Sequence, residues 1–175
     1  EKIILDGQLN ERLWEKADVA DNFSMILPLD DQKAKQFSEI RMTYDDDNLY
    51  IAVIFFNNTV KGDYVVESYN RDFSFGKNDN FIVAIDPFNN MSTGFAFGLN
   101  TYGAQWDSTL FNGRSVDLNW DTKWYSEVSF DAEKWTAEIA IPFKSIRYKD
   151  DLTQWGISFS RLDLKANEKS GWTPV

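Results

Sequence analysis

Apolar and polar residues alternate with a period of two along much of the chain. From Ser38 the alternation separates two sets of side chains, with Ile40, Met42 and Tyr44 on one side and Glu39, Arg41 and Thr43 on the other. This pattern is typical of a half-exposed β-strand. The next segment, Leu49 to Phe56, is apolar on both faces, which predicts an interior strand. Because the residues between them form a polar turn, the two segments are predicted to pair as a hairpin.

Further strand segments follow at regular intervals. They are Phe81 to Ile85, Phe95 to Leu99, Gln105 to Phe111, Tyr125 to Phe130, Trp135 to Ile141 and Gly156 to Leu162. Turn residues separate these segments, and no long helical period interrupts them. The pattern predicts a mainly β fold, an antiparallel β-sandwich of the jelly-roll or immunoglobulin-like kind. No linker marks a second domain, so residues 1–175 are predicted to form one domain.

One short helix is predicted near the amino terminus. Its segment runs from Glu11 to Lys16, and Asn10 is placed where a side chain caps a helix. The apolar residues around it share one face and are Leu9, Leu13, Trp14 and Ala17. We therefore expect this helix to lie against a sheet.

The composition excludes several classes of function. The chain has no cysteine and no histidine, which removes thiol chemistry, the commonest zinc ligands and the usual haem ligand. Its formal net charge of -10 would repel a nucleic-acid backbone. No apolar run approaches the length of about 20 residues that crosses a bilayer. We therefore expect no nucleic-acid partner and no membrane-spanning segment in this chain.

Short motifs also occur in a characteristic order. They are Leu5-Asp6-Gly7, Tyr44-Asp45-Asp46, Ile85-Asp86, Phe95 to Asn100, Trp135 to Phe143 and Trp155 to Phe159. In this order they resemble the family 9 carbohydrate-binding modules and their DOMON-like relatives, across nearly the whole chain. The resemblance implies a β-sandwich that binds an oligo- or polysaccharide and catalyses no reaction.

A second set of motifs narrows the resemblance. It comprises Arg71-Asp72, Gly103 to Asp107, Trp120 to Trp124 and Ile141 to Tyr148. These segments are similar to the amino-terminal domain of bacterial proteins of unknown function that carry a predicted outer-membrane β-barrel downstream. The implied location is the periplasm or the cell surface, associated with the outer membrane. A barrel in the same parent chain is then an expected partner.

The resemblance also implies a position for a bound sugar. In sugar-binding members two aromatic rings enclose a terminal sugar, and the first ring corresponds here to the loop with Phe73 and Phe75. The second ring corresponds to Trp172, and an asparagine contact corresponds to Asn100. Three other polar contacts of those members are missing, because the matching positions are Gly98, Ile82 and Ser160.

Three more tryptophans are candidates for stacking on a sugar. Trp106, Trp120 and Trp124 lie in or beside loops, where an exposed indole is costly without a function. A ring that stacks on the apolar face of a sugar would supply such a function. The alternative is that these rings cover the end of the sandwich core.

Four aspartates are candidate metal ligands. Asp72, Asp79, Asp107 and Asp121 lie in loops or at strand ends, and oxygen ligands of this kind bind Ca²⁺. The resemblance also implies calcium in a structural role. The alternative is that these carboxylates are solvated or paired with arginine.

Catalysis by this domain is not expected. Glu39 and Glu138 alternate with core positions, so they are interpreted as an outer sheet surface and not as a pair of catalytic carboxylates. A serine triad lacks its histidine. The sequence therefore predicts a non-catalytic carbohydrate-binding domain. The alternative is a docking or structural domain that packs against the downstream barrel or a protein partner.

Overall fold

The computed structural model describes residues 2–113 and 115–172. One short α-helix, α1 (Arg12–Lys16), precedes the strands. The strands are β1 (Asp18–Ala20), β2 (Ser24–Leu27), β3 (Ser38–Tyr44), β4 (Asn48–Phe56), β5 (Asn80–Asp86), β6 (Gly94–Asn100), β7 (Gln105–Phe111), β8 (Ser115–Asp117), β9 (Tyr125–Phe130), β10 (Lys134–Pro142), β11 (Gly156–Asp163) and β12 (Glu168–Trp172). No helix in these two ranges is long and apolar enough to cross a bilayer.

The strands form two antiparallel sheets that pack face to face. One sheet has the order β1-β3-β4-β10-β9, and the other has the order β2-β12-β11-β5-β6-β7-β8. The predicted β-sandwich is therefore confirmed. So is the β3–β4 hairpin, in which Ser38 pairs with Phe55 and Tyr44 with Leu49. Strand β4 lies inside its sheet between β3 and β10, as its two apolar faces predict.

The main core lies between the two sheets. The five-stranded sheet contributes alternate residues of β4 and β10, and Phe55 contacts Trp135 with ring centroids 5.1 Å apart. The seven-stranded sheet contributes residues of β5, β6 and β11, and Phe55 also contacts Phe81 at 5.7 Å. The remaining buried aliphatic side chains of these strands fill the space around the rings. The period-two pattern thus places the apolar side of each strand in one shared interior.

A second cluster covers the outer face of the five-stranded sheet. Residues of the amino-terminal segment and α1, including Ile3 and Trp14, pack on Tyr50, Ala52 and Ala140. The predicted packing of the helix against a sheet is confirmed. Its cap differs from the prediction, since the structure places Glu11, and not Asn10, at the N-cap. The Glu11 side chain accepts a hydrogen bond from the Ile4 backbone N–H instead of capping the helix.

Glu138 is the main departure from the expected outer surface. It lies on the outer face of β10 but is completely buried beneath the amino-terminal segment. Its carboxylate accepts hydrogen bonds from the backbone N–H groups of Asp6 and Gly7 and from Trp14 Nε1. The alternation identified its face correctly, but the sequence could not show that another segment would cover it. Glu39 is partly exposed and pairs with Arg41.

Candidate functional site

Three polar side chains, those of Gln105, Asp107 and Asp121, surround the guanidinium group of Arg71. Arg71 Nη1 donates to Gln105 Oε1 at 2.9 Å. Its Nη2 donates to Asp107 Oδ2 at 2.6 Å and also to Asp121. A further hydrogen bond reaches the backbone carbonyl of Thr122 at 3.2 Å. Arg71 therefore joins three segments that lie far apart in the sequence.

These groups border a shallow recess of about 470 Å³, called here the Arg71 recess. Its lining residues are Arg71, Gln105, Asp121, Thr122, Lys123 and Trp124. Asp107 lies beneath it, and burial raises the pKa of this carboxyl, although hydrogen bonds from Thr122 and Arg71 act in the opposite direction. Donors and acceptors of hydrogen bonds thus stand side by side, as recognition of hydroxyl groups requires.

The four aspartates predicted to bind calcium do not come together. Asp107 and Asp121 are both paired with Arg71, in agreement with the alternative of arginine-paired carboxylates. Asp79 is buried and accepts two backbone N–H groups, and Asp72 is exposed. Within the described residues, no three acidic side chains are grouped so that they could hold a metal ion. These residues do not fit Ca²⁺, which takes about six to eight oxygen ligands.

Three of the predicted sugar-stacking rings do come together, on the outer face of the seven-stranded sheet. The ring of Phe75 lies 4.4 Å from Trp106 and 5.5 Å from Phe73, between centroids. Phe73 and Trp106 are buried within this cluster, and only Phe75 is partly exposed. The rings therefore pack mainly on one another.

The other three predicted rings lie on the opposite side of that sheet. Trp120 packs on Phe95 at 4.9 Å, and Trp124 packs on Phe97 at 5.4 Å. Trp172 is half-buried against the same core. This placement agrees with the alternative that Trp120 and Trp124 cover the end of the core. The two groups of rings do not share one surface.

The positions matched to missing polar sugar contacts are neighbours in the sheet. Ser160 pairs with Ile82, Ile82 with Gly98, and Gly98 with Trp106. A side chain at Gly98 would meet the Phe75 ring at 3.4 Å, so this ring lies directly over the position. Apolar groups therefore occupy the middle of this face in the present chain.

A different set of four rings lies near the Arg71 recess, and three of them are exposed while Tyr64 is partly buried. The centroids of Tyr69 and Tyr102 are 5.2 Å apart, those of Tyr102 and Phe130 5.0 Å, and those of Phe130 and Tyr64 5.6 Å. Tyr69 is 71% exposed, Tyr102 43% and Phe130 44%. We call these four residues the ring row. Such a run of exposed aromatic side chains is unusual on a protein surface.

Asn100 holds the two tyrosines of the ring row in place. This predicted sugar contact is completely buried. Its Nδ2 donates to the carbonyl of Ser68, next to Tyr69, while its Oδ1 accepts the backbone N–H groups of Tyr102 and Ala104. One side chain therefore fixes both the loop that carries Tyr69 and the turn that carries Tyr102.

Comparison with known families matches residues 4–173 to the model described as carbohydrate family 9 binding domain-like. The chain belongs to this family. It is a family of non-catalytic binding modules, so this family 9-like domain is not an enzyme. No curated protein matches the chain.

Solved structures share the fold of this family 9-like domain. One is a family 9 carbohydrate-binding module from Caldicellulosiruptor kristjanssonii in complex with cellotriose, with a TM-score of 0.63, 13% identity and coverage of 98% of this chain and 79% of that one. Its complex with glucose gives a TM-score of 0.64 at 13% identity, covering 98% and 81%. A candidate carbohydrate-binding protein from Bacteroides uniformis gives 0.68 at 10% identity, covering 92% and 79%.

Sequence reasoning missed the ring row of this family 9-like domain. Its members are spread over three segments, and Tyr64 and Tyr69 stand in a long polar loop without periodicity. A weak signal existed, because Tyr69-Asn70 and Tyr102-Gly103 each place an aromatic residue next to a turn former. Nothing in the spacing indicated that these residues would meet.

Proposed function

We propose that this domain binds carbohydrate at the ring row and the adjoining Arg71 recess. The observation that carries the proposal is the contact between exposed Tyr69 and Tyr102, which precede the hydrogen-bonded pair Arg71 and Gln105 by two and three residues in the chain. Aromatic faces take up the apolar side of a sugar ring, and the polar side chains take up its hydroxyl groups. Membership of the family supports a sugar ligand.

The surface is held in shape before any ligand arrives. Asn100 fixes the loop at Ser68, and the backbone N–H of Asp72 donates to the carbonyl of Gln105 at 2.8 Å. Tyr69 lies between these two attachment points. A platform whose backbone is already ordered gives up little conformational entropy on binding, so more of the contact energy appears as affinity.

The proposal is tested by calorimetric titration with a panel of soluble oligosaccharides. Tyr69→Ala removes one exposed stacking face, worth about 1 kcal/mol, so binding should weaken about fivefold. Tyr44→Ala is the matched control, because Tyr44 is similarly exposed, at 77% against 71%, but belongs to strand β3 and not to the ring row. We expect this control to bind as the unmodified domain does.

Two results would refute the proposal. One is that no oligosaccharide of the panel binds to the folded domain. The other is saturable binding that Tyr69→Ala and Tyr44→Ala leave equally intact, which would place the sugar elsewhere. The titration is repeated with added calcium and with a chelator, because calcium stays a prediction of the family resemblance.

We further propose the periplasm or the cell surface as the location, on the resemblance to domains that precede an outer-membrane barrel. A docking role towards that barrel is the second candidate. Exposed apolar side chains at the β7–β8 edge favour it, with Phe111 at 40%, Val116 at 48% and Leu118 at 56%. Val116→Asp should then abolish association of the domain with the separately produced barrel, whereas intact association would exclude this role for the edge.

A further inference from the structure

We infer that the ring row binds an internal segment of a linear, uncharged glycan, which lies along the row and is not held by its end. This inference rests on the proposed function, since it specifies the ligand of the same surface. Its basis is the spacing and tilt of the four rings, together with the pairing of the charges around them.

The rings cannot enclose a terminal sugar between them. Successive planes are tilted by 72°, 64° and 74°, and successive centroids lie only 5.0 to 5.6 Å apart. These values describe edge-to-face contact between the rings themselves. Since no sugar-sized gap separates neighbouring rings, a ligand contacts the row from one side only.

The row is longer than one sugar unit. Tyr69, Tyr102 and Phe130 are all exposed and follow one another at about one ring width per step. A pyranose is also a six-membered ring, so a ligand that covers all three side chains must extend over more than one unit. A monosaccharide would leave part of this apolar surface in water, so it would bind more weakly than a ligand that covers all three side chains.

The two ends of the row differ. At one end the Tyr64 hydroxyl donates to the carbonyl of Asp131 and accepts from Asn57 Nδ2, and Lys165 Nζ lies 4.9 Å from the centre of its ring. Burial raises the pKa of Tyr64 to about 12, so this ring stays uncharged. At the other end, Tyr69 adjoins the Arg71 recess. The Tyr64 hydroxyl is thus occupied by partners within the protein, whereas the polar groups that line a recess lie at the Tyr69 end, and this difference gives a bound chain a preferred direction.

Paired charges flank the row and favour an uncharged ligand. Lys77 pairs with Glu67, two residues before Tyr69, and Lys61 pairs with Glu133, in the turn that follows Phe130. Arg71 is shared by two aspartates. Lys123, which also lines the Arg71 recess, lies with its Nζ 5.4 Å from the centre of the Tyr125 ring. An acidic glycan would have to break the ion pairs to contact Lys77, Lys61 or Arg71, and the domain as a whole carries a net charge of -10.

The test uses oligosaccharides of one to six units built from β-1,4-linked glucose, xylose or mannose, with oligogalacturonate as the acidic counterpart. Each neutral hexamer is used both intact and with its reducing end converted to the alditol. We expect one neutral series to gain at least tenfold in affinity from monomer to trimer. We expect the alditol hexamer to bind as tightly as the intact hexamer, and oligogalacturonate to bind at least tenfold more weakly.

Variants locate the chain on the row. Phe130→Ala should weaken hexamer binding about fivefold while monomer binding changes by less than twofold. Phe111→Ala is the matched control, because Phe111 has a similar exposure, 40% against 44%, but lies at the end of β7 and not in the ring row. Phe130→Tyr keeps the stacking face and should retain hexamer affinity, which separates loss of stacking from loss of folding.

Different outcomes overturn different claims. If no glycan binds, the proposed function fails and this inference fails with it. Two outcomes would show that the site holds a chain end: the monomer of a glycan binds as tightly as its hexamer, or conversion of the reducing end to the alditol abolishes binding. Either outcome overturns this inference alone and leaves the proposed function intact. Preference for oligogalacturonate overturns the claim of an uncharged ligand. Equal binding by Phe130→Ala and Phe111→Ala overturns the placement along the row.

Discussion

The buried carboxylate of Glu138 offers a direct test of how the amino-terminal segment is attached. Its Oε2 accepts the N–H groups of Asp6 at 2.9 Å and Gly7 at 3.0 Å, and its Oε1 accepts from Trp14 Nε1 at 3.0 Å. Burial raises the pKa of Glu138, while these hydrogen bonds partly oppose the rise. Glu138→Ala removes the acceptor and leaves its donors under a cover of packed side chains.

The expected loss follows from the number of donors left without a partner. Water can reach the Asp6 N–H, because Asp6 is exposed, but Gly7 and Trp14 are buried. Each buried donor without an acceptor costs about 1 to 3 kcal/mol, and the loss of the packed side chain adds to this. Removal of the buried carboxylate charge offsets part of this loss in stability. We therefore expect Glu138→Ala to lower the free energy of unfolding by about 4 kcal/mol.

Urea denaturation measures this change. With a slope of about 3 kcal/mol per molar urea, a loss of that size lowers the midpoint by about 1.3 M. Glu127→Ala is the matched control, because Glu127 pairs with Glu138 in the register of β9 and β10 but is exposed. Its midpoint should change by less than about 0.2 M. If both variants unfold at the same urea concentration, the carboxylate does not anchor the amino-terminal segment.

Two further predictions concern backbone packing and pH. Gly94→Ala should destabilise the domain by about 1 to 3 kcal/mol, because its new Cβ would clash with the Ile85 carbonyl oxygen. Gly76→Ala is the control, because its Cβ meets open space and should change stability little. Equal thermal midpoints of the two variants would contradict this prediction. Burial raises the pKa of Asp107, so the folded protein keeps this proton at a pH where the unfolded chain has lost it. The stabilising contribution of Asp107 is therefore lost as pH rises through its folded pKa, and Asp107→Asn should gain stability relative to the unmodified domain over that range. Parallel curves of unfolding midpoint against pH would disprove it.

The strands that alternation predicts are those with one face in the shared core. In β10, for example, Trp135, Ala137 and Ile139 face the other sheet, and burial of these side chains is what the period of two records. Strand β12, Glu168–Trp172, is not predicted by the alternation, because two of its inward positions are the polar residues Glu168 and Ser170. Glu168 is satisfied there by the backbone N–H groups of Lys35 and Gln36. Such partners come from a distant part of the chain and leave no local pattern.

The candidate site was less accessible to prediction than the fold. The motif residues Arg71, Asp107 and Asp121 were recognised as notable, and the structure does bring them together. The sequence leaves calcium binding and arginine pairing open for Asp107 and Asp121, and the structure places Arg71 between their carboxylates. A list of acidic residues could not distinguish a metal site from an ion pair, because the distinction depends on which groups converge.

The strand pattern, the order of motifs and the composition are enough to predict a β-sandwich of the family 9-like kind without histidine or cysteine chemistry. Strand periodicity and the order of motifs are local features, so they can be recognised without knowledge of the tertiary contacts. Which aromatic side chains remain exposed to water became clear from the packing of the folded domain. Trp124 and Tyr102 both occupy segments beside strand ends, yet one closes the core and the other stands in the ring row. That difference arises from the packing of two sheets and the loops between them, which no stretch of sequence contains alone.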